Sequence, residues 1–147
     1  VRQDAPYRIL PIEDRMSTVS LLSDAELSPG AAAVFADIRT TRKTDFVNNF
    51  WRALAHDPAL LERTWSAAKQ VMAPGALDAK TKELIYIAVS AAHGCDYCVA
   101  SHTAGARAKG MTAAEHGELL AVIAMAAQTN RLAQAMRVPV DAVFEQP

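Results

Sequence analysis

The chain has 147 residues, 15 basic and 16 acidic side chains, a formal charge of −1, and 51% hydrophobic and 21% charged residues. That length fits one domain, residues 1–147. The composition excludes a disordered tail, a collagen and a coiled coil, and the balanced charge gives no electrostatic case for nucleic acid or an anionic membrane. The 30 Ala, set against 6 Gly and 7 Pro, favour an all-α fold, because Ala is the strongest helix former.

Residues 1–20 read as an arm. Pro6, Pro11 and scattered charges set no period, which fits either an arm lying across a neighbouring subunit or a loosely ordered terminus. Val1 to Arg15 carry no apolar core of the kind a secretory signal needs, although a first residue of Val rather than Met leaves a trimmed leader open. Ser28-Pro29 offers an N-cap and a Pro at the first helical position, predicting a helix to about Thr40. A short apolar stretch follows from Phe46 to Ala55. Asp57-Pro58 opens a helix to about Ala73, with Leu61, Trp65, Ala68 and Met72 on one face, and Pro74-Gly75 ends it.

Asp78 caps the next predicted helix, about Ala79 to Ala92. From Leu84 onward only Tyr86 and Ser90 carry polar side-chain groups, and an element apolar on all sides is expected to be central and buried. Gly94 interrupts it, and a further helix runs from near Cys95 to Lys109-Gly110. Thr112-Ala113-Ala114-Glu115 is a capping box. It opens a helix whose second half is the nine-residue apolar run Leu119–Ala127, and a last helix is predicted over Asn130 to Met136. A membrane span needs about 20 apolar residues, so no membrane-spanning segment is expected. The expected architecture is a compact bundle of about six to seven helices with a central helical hairpin.

The chemistry concentrates on that hairpin. The two cysteines stand together as Cys95-Asp96-Tyr97-Cys98; in a chain with no sign of export, such a pair suggests redox or metal chemistry rather than a disulfide scaffold. Cys95, Cys98 and His102 are spaced 3 and 4, which places them on one helical stripe. Residues three apart on a helix lie about 5–6 Å apart, within the reach of a disulfide, so the pair can cycle between dithiol and disulfide with little backbone movement. Both sulfurs fall in the first turn of a helix, where the partial positive charge favours thiolate, the reactive form.

If the two helices fold back at Gly94, Glu83 lies roughly 16 Å and His102 roughly 12 Å from the turn, which brings them into one neighbourhood. Carboxylate, imidazole and thiol then form a proton relay. The bland reading of Glu83 is a solvated first-turn carboxylate, and that of His102 a structural histidine. A zinc site would draw on Cys95, Cys98 and His102 and would need Glu83 as its fourth ligand, since the chain has no second cysteine pair; no metal and no cofactor are expected. His93 reads as a helix-end residue, His56 as a helix C-terminal one and His116 as solvated. Trp51, Trp65 and Phe50 read as core or subunit-contact residues.

Glu83, eleven intervening residues, then Cys-x-x-Cys-x-x-x-His resembles the signature of the alkylhydroperoxidase D-like group of the carboxymuconolactone decarboxylase superfamily. Phe50-Trp51-Arg52-Ala53-Leu54-Ala55-His56-Asp57-Pro58 and Lys82-Glu83-Leu84-Ile85-Tyr86-Ile87-Ala88-Val89-Ser90 add to it, and the likeness covers about residues 45–130. The resemblance implies an all-helical fold assembling as a homotrimer or homohexamer, and an antioxidant peroxidase cycle in the cytoplasm acting on a small peroxide, with an external dithiol or reductase protein as partner. It implies that Cys98 attacks the peroxide, Cys95 resolves, and Glu83 and His102 relay protons. Dipole reasoning alone favours Cys95 as the attacking thiol, because it stands nearer the helix start; the resemblance and the i, i+4 partner His102 favour Cys98. The sequence departs from the group in one place: Tyr97 stands where well-known members carry a further His. Two other readings are a cofactor-free decarboxylase or lactone-processing enzyme, which has no evident need of two cysteines, and a non-catalytic helical scaffold that senses redox state.

Overall fold

A computed structural model describes residues 17–145. Residues 1–16 of the expected arm, with them the whole of the stretch 1–15 that shows no secretory-signal core, lie outside the described residues. Among those described, six α-helices and two short 3-10 turns make up the regular structure and no strand occurs, as the Ala-rich composition predicts. The chain's contacts divide it into two compact units, one up to Val71 and one from Met72.

The first unit holds α1 (Pro29–Arg42), α2 (Asn49–Leu54) and most of α3 (Pro58–Met72). α1 starts where Ser28 Oγ accepts the Ala31 N–H at 3.3 Å, satisfying a donor that the helix leaves unpaired. It stops at Lys43, whose left-handed φ of 53° turns the chain out. The apolar stretch 46–55 supplies α2. At the start of α3, Asp57 Oδ1 accepts from the N–H groups of Ala59 and Leu60. The expected α3 face is the buried one at Leu61 and Trp65, with Ala68 packed beside them. They close on Phe35, Ile38, Val47 and Trp51, and the Trp51 and Trp65 rings meet edge to face at 5.4 Å, the arrangement the ring quadrupoles favour.

The second unit holds α4 (Ala79–Ala92), α5 (Asp96–Ala108) and α6 (Ala113–Met136). Asp78 caps α4 through the Thr81 N–H at 2.9 Å. The chain reverses at His93 and Gly94, where φ is +70°; a side chain is strained there and glycine is not. α4 packs on both α5 and α6, and Ile87, Ala106 and Met111 form the buried centre, with Leu84, Leu119 and Ile123 against it.

Two expectations are corrected here. α4 is not buried all round: Glu83, Ile87 and Ser90 face inward, while Ile85, Tyr86 and Val89 are 48%, 43% and 51% exposed. The apolar sequence of α4 therefore exceeds what one chain covers. Second, no break separates the run Leu119–Ala127 from Asn130–Met136, since α6 continues through all 24 residues. Gln128 is a good helix former, Thr129 and Asn130 are only weakly unfavourable, and the Thr129 hydroxyl is absorbed by the carbonyls of Met125 and Ala126 at 3.0 and 3.3 Å.

Candidate functional site

The candidate site is built entirely within the second unit, on the hairpin of α4 and α5. Cys95 is the N-cap residue of α5, and Cys98 stands in its first turn. The two are joined as a disulfide, with Cα atoms 5.3 Å apart. The separation is the one that the three-residue helical spacing provides, so the oxidised pair needs no distortion of the helix. Cys95 Sγ accepts the Cys98 N–H at 3.2 Å. In a capped helix a Ser or Asp oxygen performs this task; here sulfur does it, and the Cys98 N–H points at the cysteine pair.

One turn beyond Cys98, His102 Nδ1 donates to Glu83 Oε2 at 2.6 Å. The predicted meeting of the two helices at these residues is thus present in the structure. Glu83 is 6% exposed. Burial alone pushes its carboxyl up, but the hydrogen bonds from His102 and Lys109, with the Lys109 charge, outweigh it and hold the carboxyl below its ordinary range. An ionised Glu83 fixes Nδ1 as the protonated nitrogen of a neutral imidazole and leaves Nε2 as the basic one.

Three residues that the sequence reading passed over complete the site. Lys109, the C-cap of α5, donates to Glu83 Oε1 at 2.7 Å, so each carboxylate oxygen has its own cationic or polar partner. Tyr86 lies over the imidazole of His102, ring centroids 3.6 Å apart and 19° from parallel. Gly105 makes room for the carboxylate: a Cβ there would stand 3.1 Å from Glu83 Cδ and Oε1 and 3.2 Å from Oε2. Cys98, His102, Gly105 and Lys109 follow at intervals of 4, 3 and 4, one stripe of α5 laid along Glu83's side of α4. That interval pattern was the available signal for Gly105 and Lys109.

The other candidates are accounted for elsewhere. His93 is the C-cap of α4, as expected of a helix-end residue. His56 lies in the first unit, its Nε2 2.9 Å from the Ser20 carbonyl oxygen and 3.2 Å from its hydroxyl. His116 is half-buried rather than solvated, in the first turn of α6. Tyr97, the departure from the motif, is 44% exposed. Trp51 and Trp65 are core residues, whereas Phe50 is exposed and touches the Trp51 edge. Among the described residues, no group of three or more His, Cys, Asp or Glu is arranged to hold a metal ion, and no helix is long and apolar enough to cross a membrane.

Comparison with known proteins places this geometry among relatives. The profile of the carboxymuconolactone decarboxylase family matches residues 58–141. A crystal structure of an alkylhydroperoxidase AhpD core from Rhodospirillum rubrum, at 1.95 Å resolution, superposes with a TM-score of 0.87 at 61% identity, covering 90% of this chain and 99% of that one. An uncharacterized protein of the cox locus of Paracoccus denitrificans is 47% identical over 45 residues, 31% of this chain and 40% of the relative's length. An uncharacterized protein of Cupriavidus necator is 33% identical over 82 residues, 56% of this chain and 73% of that protein.

The contact at Gly105 makes a test of the site's packing. Ala is worth about 1 kcal/mol more than Gly inside a helix, so Gly105→Ala would ordinarily stabilise α5. Here the added methyl meets a carboxylate held at both oxygens, and overpacking of this kind costs about 1–3 kcal/mol. Urea denaturation of Gly105→Ala is expected to show a net loss of about 1 kcal/mol; a gain in stability would mean that Glu83 yields without losing its partners.

Proposed function

The chain is an alkylhydroperoxidase D-like member of the carboxymuconolactone decarboxylase family, and we propose that it is a thiol-dependent peroxidase. The observation that carries this reading is the Glu83–His102 hydrogen bond at 2.6 Å, one helical turn from the Cys95–Cys98 pair. It joins a charged carboxylate to an imidazole on the same helix as a redox-active disulfide. A purely structural disulfide has no use for such a base.

In the proposed cycle His102 takes the proton of Cys98 through Nε2, while Glu83 supports the charge that the imidazole gains. Cys98 thiolate attacks the outer oxygen of a small hydroperoxide. The O–O bond breaks, the alcohol leaves with a proton, and Cys98 becomes a sulfenic acid. Cys95 thiolate then attacks Cys98 Sγ, an S–S bond forms, and the sulfenic oxygen leaves as water. The sum is dithiol plus hydroperoxide giving disulfide, alcohol and water. An external dithiol, free or carried by a reductase protein, returns the pair to the reduced state by exchange. The reducing environment of the cytoplasm fits a pair that must be reopened at each turnover. The residues named need no metal, haem or flavin for these steps.

The family's name favours a second reading, cofactor-free decarboxylation. That chemistry gives the cysteine pair no role, and peroxide consumption that depends on an added dithiol separates the two. Assembly belongs to the same proposal. The exposed apolar residues Ile85 and Val89 on α4, and Leu120, Val122 and Met125 on α6, form more apolar surface than a small monomer ordinarily shows to water. They support a homo-oligomer, a trimer or a hexamer. Light scattering at micromolar concentration is expected to give a multiple of the 15.8 kDa chain mass; the mass of one chain would refute it.

The division of labour between the thiols is tested by replacing each. Cys98→Ser is expected to abolish peroxide turnover. Cys95→Ser is expected to allow one turnover that stalls at a sulfenic acid on Cys98, trapped by a dimedone-type probe. Sulfenic acid on Cys95 in an active Cys98→Ser protein would reverse the assignment.

A further inference from the structure

Glu83 and Lys109 act on His102 in opposite senses. Glu83 accepts from His102 Nδ1 through one oxygen and from Lys109 Nζ through the other, at 2.6 and 2.7 Å. Two neighbours of the imidazole attract positive charge. The Glu83 carboxylate lies in the ring plane direction of Nδ1, and the Tyr86 ring from α4 stacks on its face, where a cation is attracted. A base that is already protonated cannot take a proton from a thiol. With Lys109 charged and His102 neutral, the three-group cluster sums to zero. Adding a proton to His102 then makes it positive within a largely buried site, which is unfavourable. Without Lys109 the cluster starts at −1, and protonation of His102 brings it to zero.

We propose that Lys109 is a positioning residue that keeps His102 in its neutral, proton-accepting form by neutralising Glu83. Lys109 is suited to this because it stands at the C-cap of α5, where a cation is also favoured by the helix dipole, and its Nζ lies 2.7 Å from Glu83 Oε1. Of the other charged groups on α4 and α6, Glu115, in the first turn of α6, pairs with Lys80 of α4 at 2.7 Å, and Lys82 of α4 donates to the Ala73 carbonyl. The use of this effect in turnover rests on the peroxidase reading; the effect on His102 does not.

The test follows the His102 ring protons by NMR against pH in the reduced, full-length protein. Lys109→Met is expected to raise the His102 midpoint by roughly one pH unit, as the loss of a neighbouring charge does, and to move the acid limb of thiol alkylation by iodoacetamide upward in step. Lys109→Gln keeps a donor for Oε1 without the charge, and is expected to shift the midpoint in the same direction; it also serves if the Met variant does not fold. Lys109→Arg restores the charge and is expected to return the midpoint to the wild-type position. In a Glu83→Gln background the His102 midpoint is expected to start lower, and Lys109→Met is expected to raise it there as well, because the Lys109 charge also repels a proton on the imidazole directly. An unchanged or lowered midpoint in both Lys109→Met and Lys109→Gln overturns the proposal. A raised midpoint in a protein whose wild type consumes no peroxide upholds the role of Lys109 and sinks the peroxidase reading alone. Peroxide consumption by a wild type whose Lys109 variants leave His102 unmoved overturns this proposal alone.

Discussion

A carboxylate taken out of water must be given partners or lose its charge, and Glu83 is the carboxylate on which the second unit is built. It is almost wholly buried, and burial by itself would drive it toward the neutral acid. What keeps it ionised are two donors on one helix, His102 and Lys109, seven residues apart. Satisfying both sets the register between α4 and α5, because a slip of either helix by one turn would leave one oxygen without its donor. The reversal at Gly94 and the missing side chain at Gly105 let the helices approach closely enough for this. On α5 itself, Cys98 stands one turn and Cys95 two turns before that imidazole. In the proposed cycle one arrangement meets both the structural demand of a buried charge and the chemical demand of a thiol base.

The oxidised pair stands at the other end of the stripe. Cys95 occupies the N-cap and Cys98 the first turn, with the Cys98 N–H directed at Cys95 Sγ. Both sulfurs therefore stand where helix donors favour a negative sulfur. The two positions differ in what else is near. Cys95 has the capping N–H, which suits a leaving or resolving thiolate, and Cys98 has His102 one turn away on its own helix. In the proposed cycle this difference, rather than any difference in backbone strain, divides attack from resolution.

Much of this was legible in the sequence, and the reasons for the misses are specific. Helix starts were clear wherever a side chain caps them: Ser28, Asp57, Asp78 and Thr112 each do what their position next to an apolar period predicts. The Glu83–His102 contact followed from counting helical rise on both sides of Gly94. The gap expected at Gln128 and Thr129 is absent because Gln is a good helix former, Thr costs little, and no Gly or Pro stands there to break α6. α4 was expected to be buried all round because its sequence is apolar all round; within one chain only the Glu83, Ile87 and Ser90 side is covered. Lys109 and Gly105 escaped notice because each has an ordinary local explanation, a cation at a helix end and a small residue in a helix. Their function depends on Glu83, which approaches from another element, and only the register of the hairpin joins them to it.

The central claim is that the ionised Glu83 supports His102 as the base for Cys98. Its most direct measure is the rate of alkylation of the reduced thiols against pH in wild type and in Glu83→Gln, which keeps shape and hydrogen bonding and removes the charge. General-base assistance contributes about 10²–10⁴-fold in favourable cases, so a loss of at least about tenfold at neutral pH is expected, with the fold intact by circular dichroism. The loss should shrink as pH rises, because hydroxide takes over removal of the thiol proton. Superimposable profiles for the two proteins would contradict the account and leave Glu83 as a residue that holds the hairpin together without acting on its chemistry.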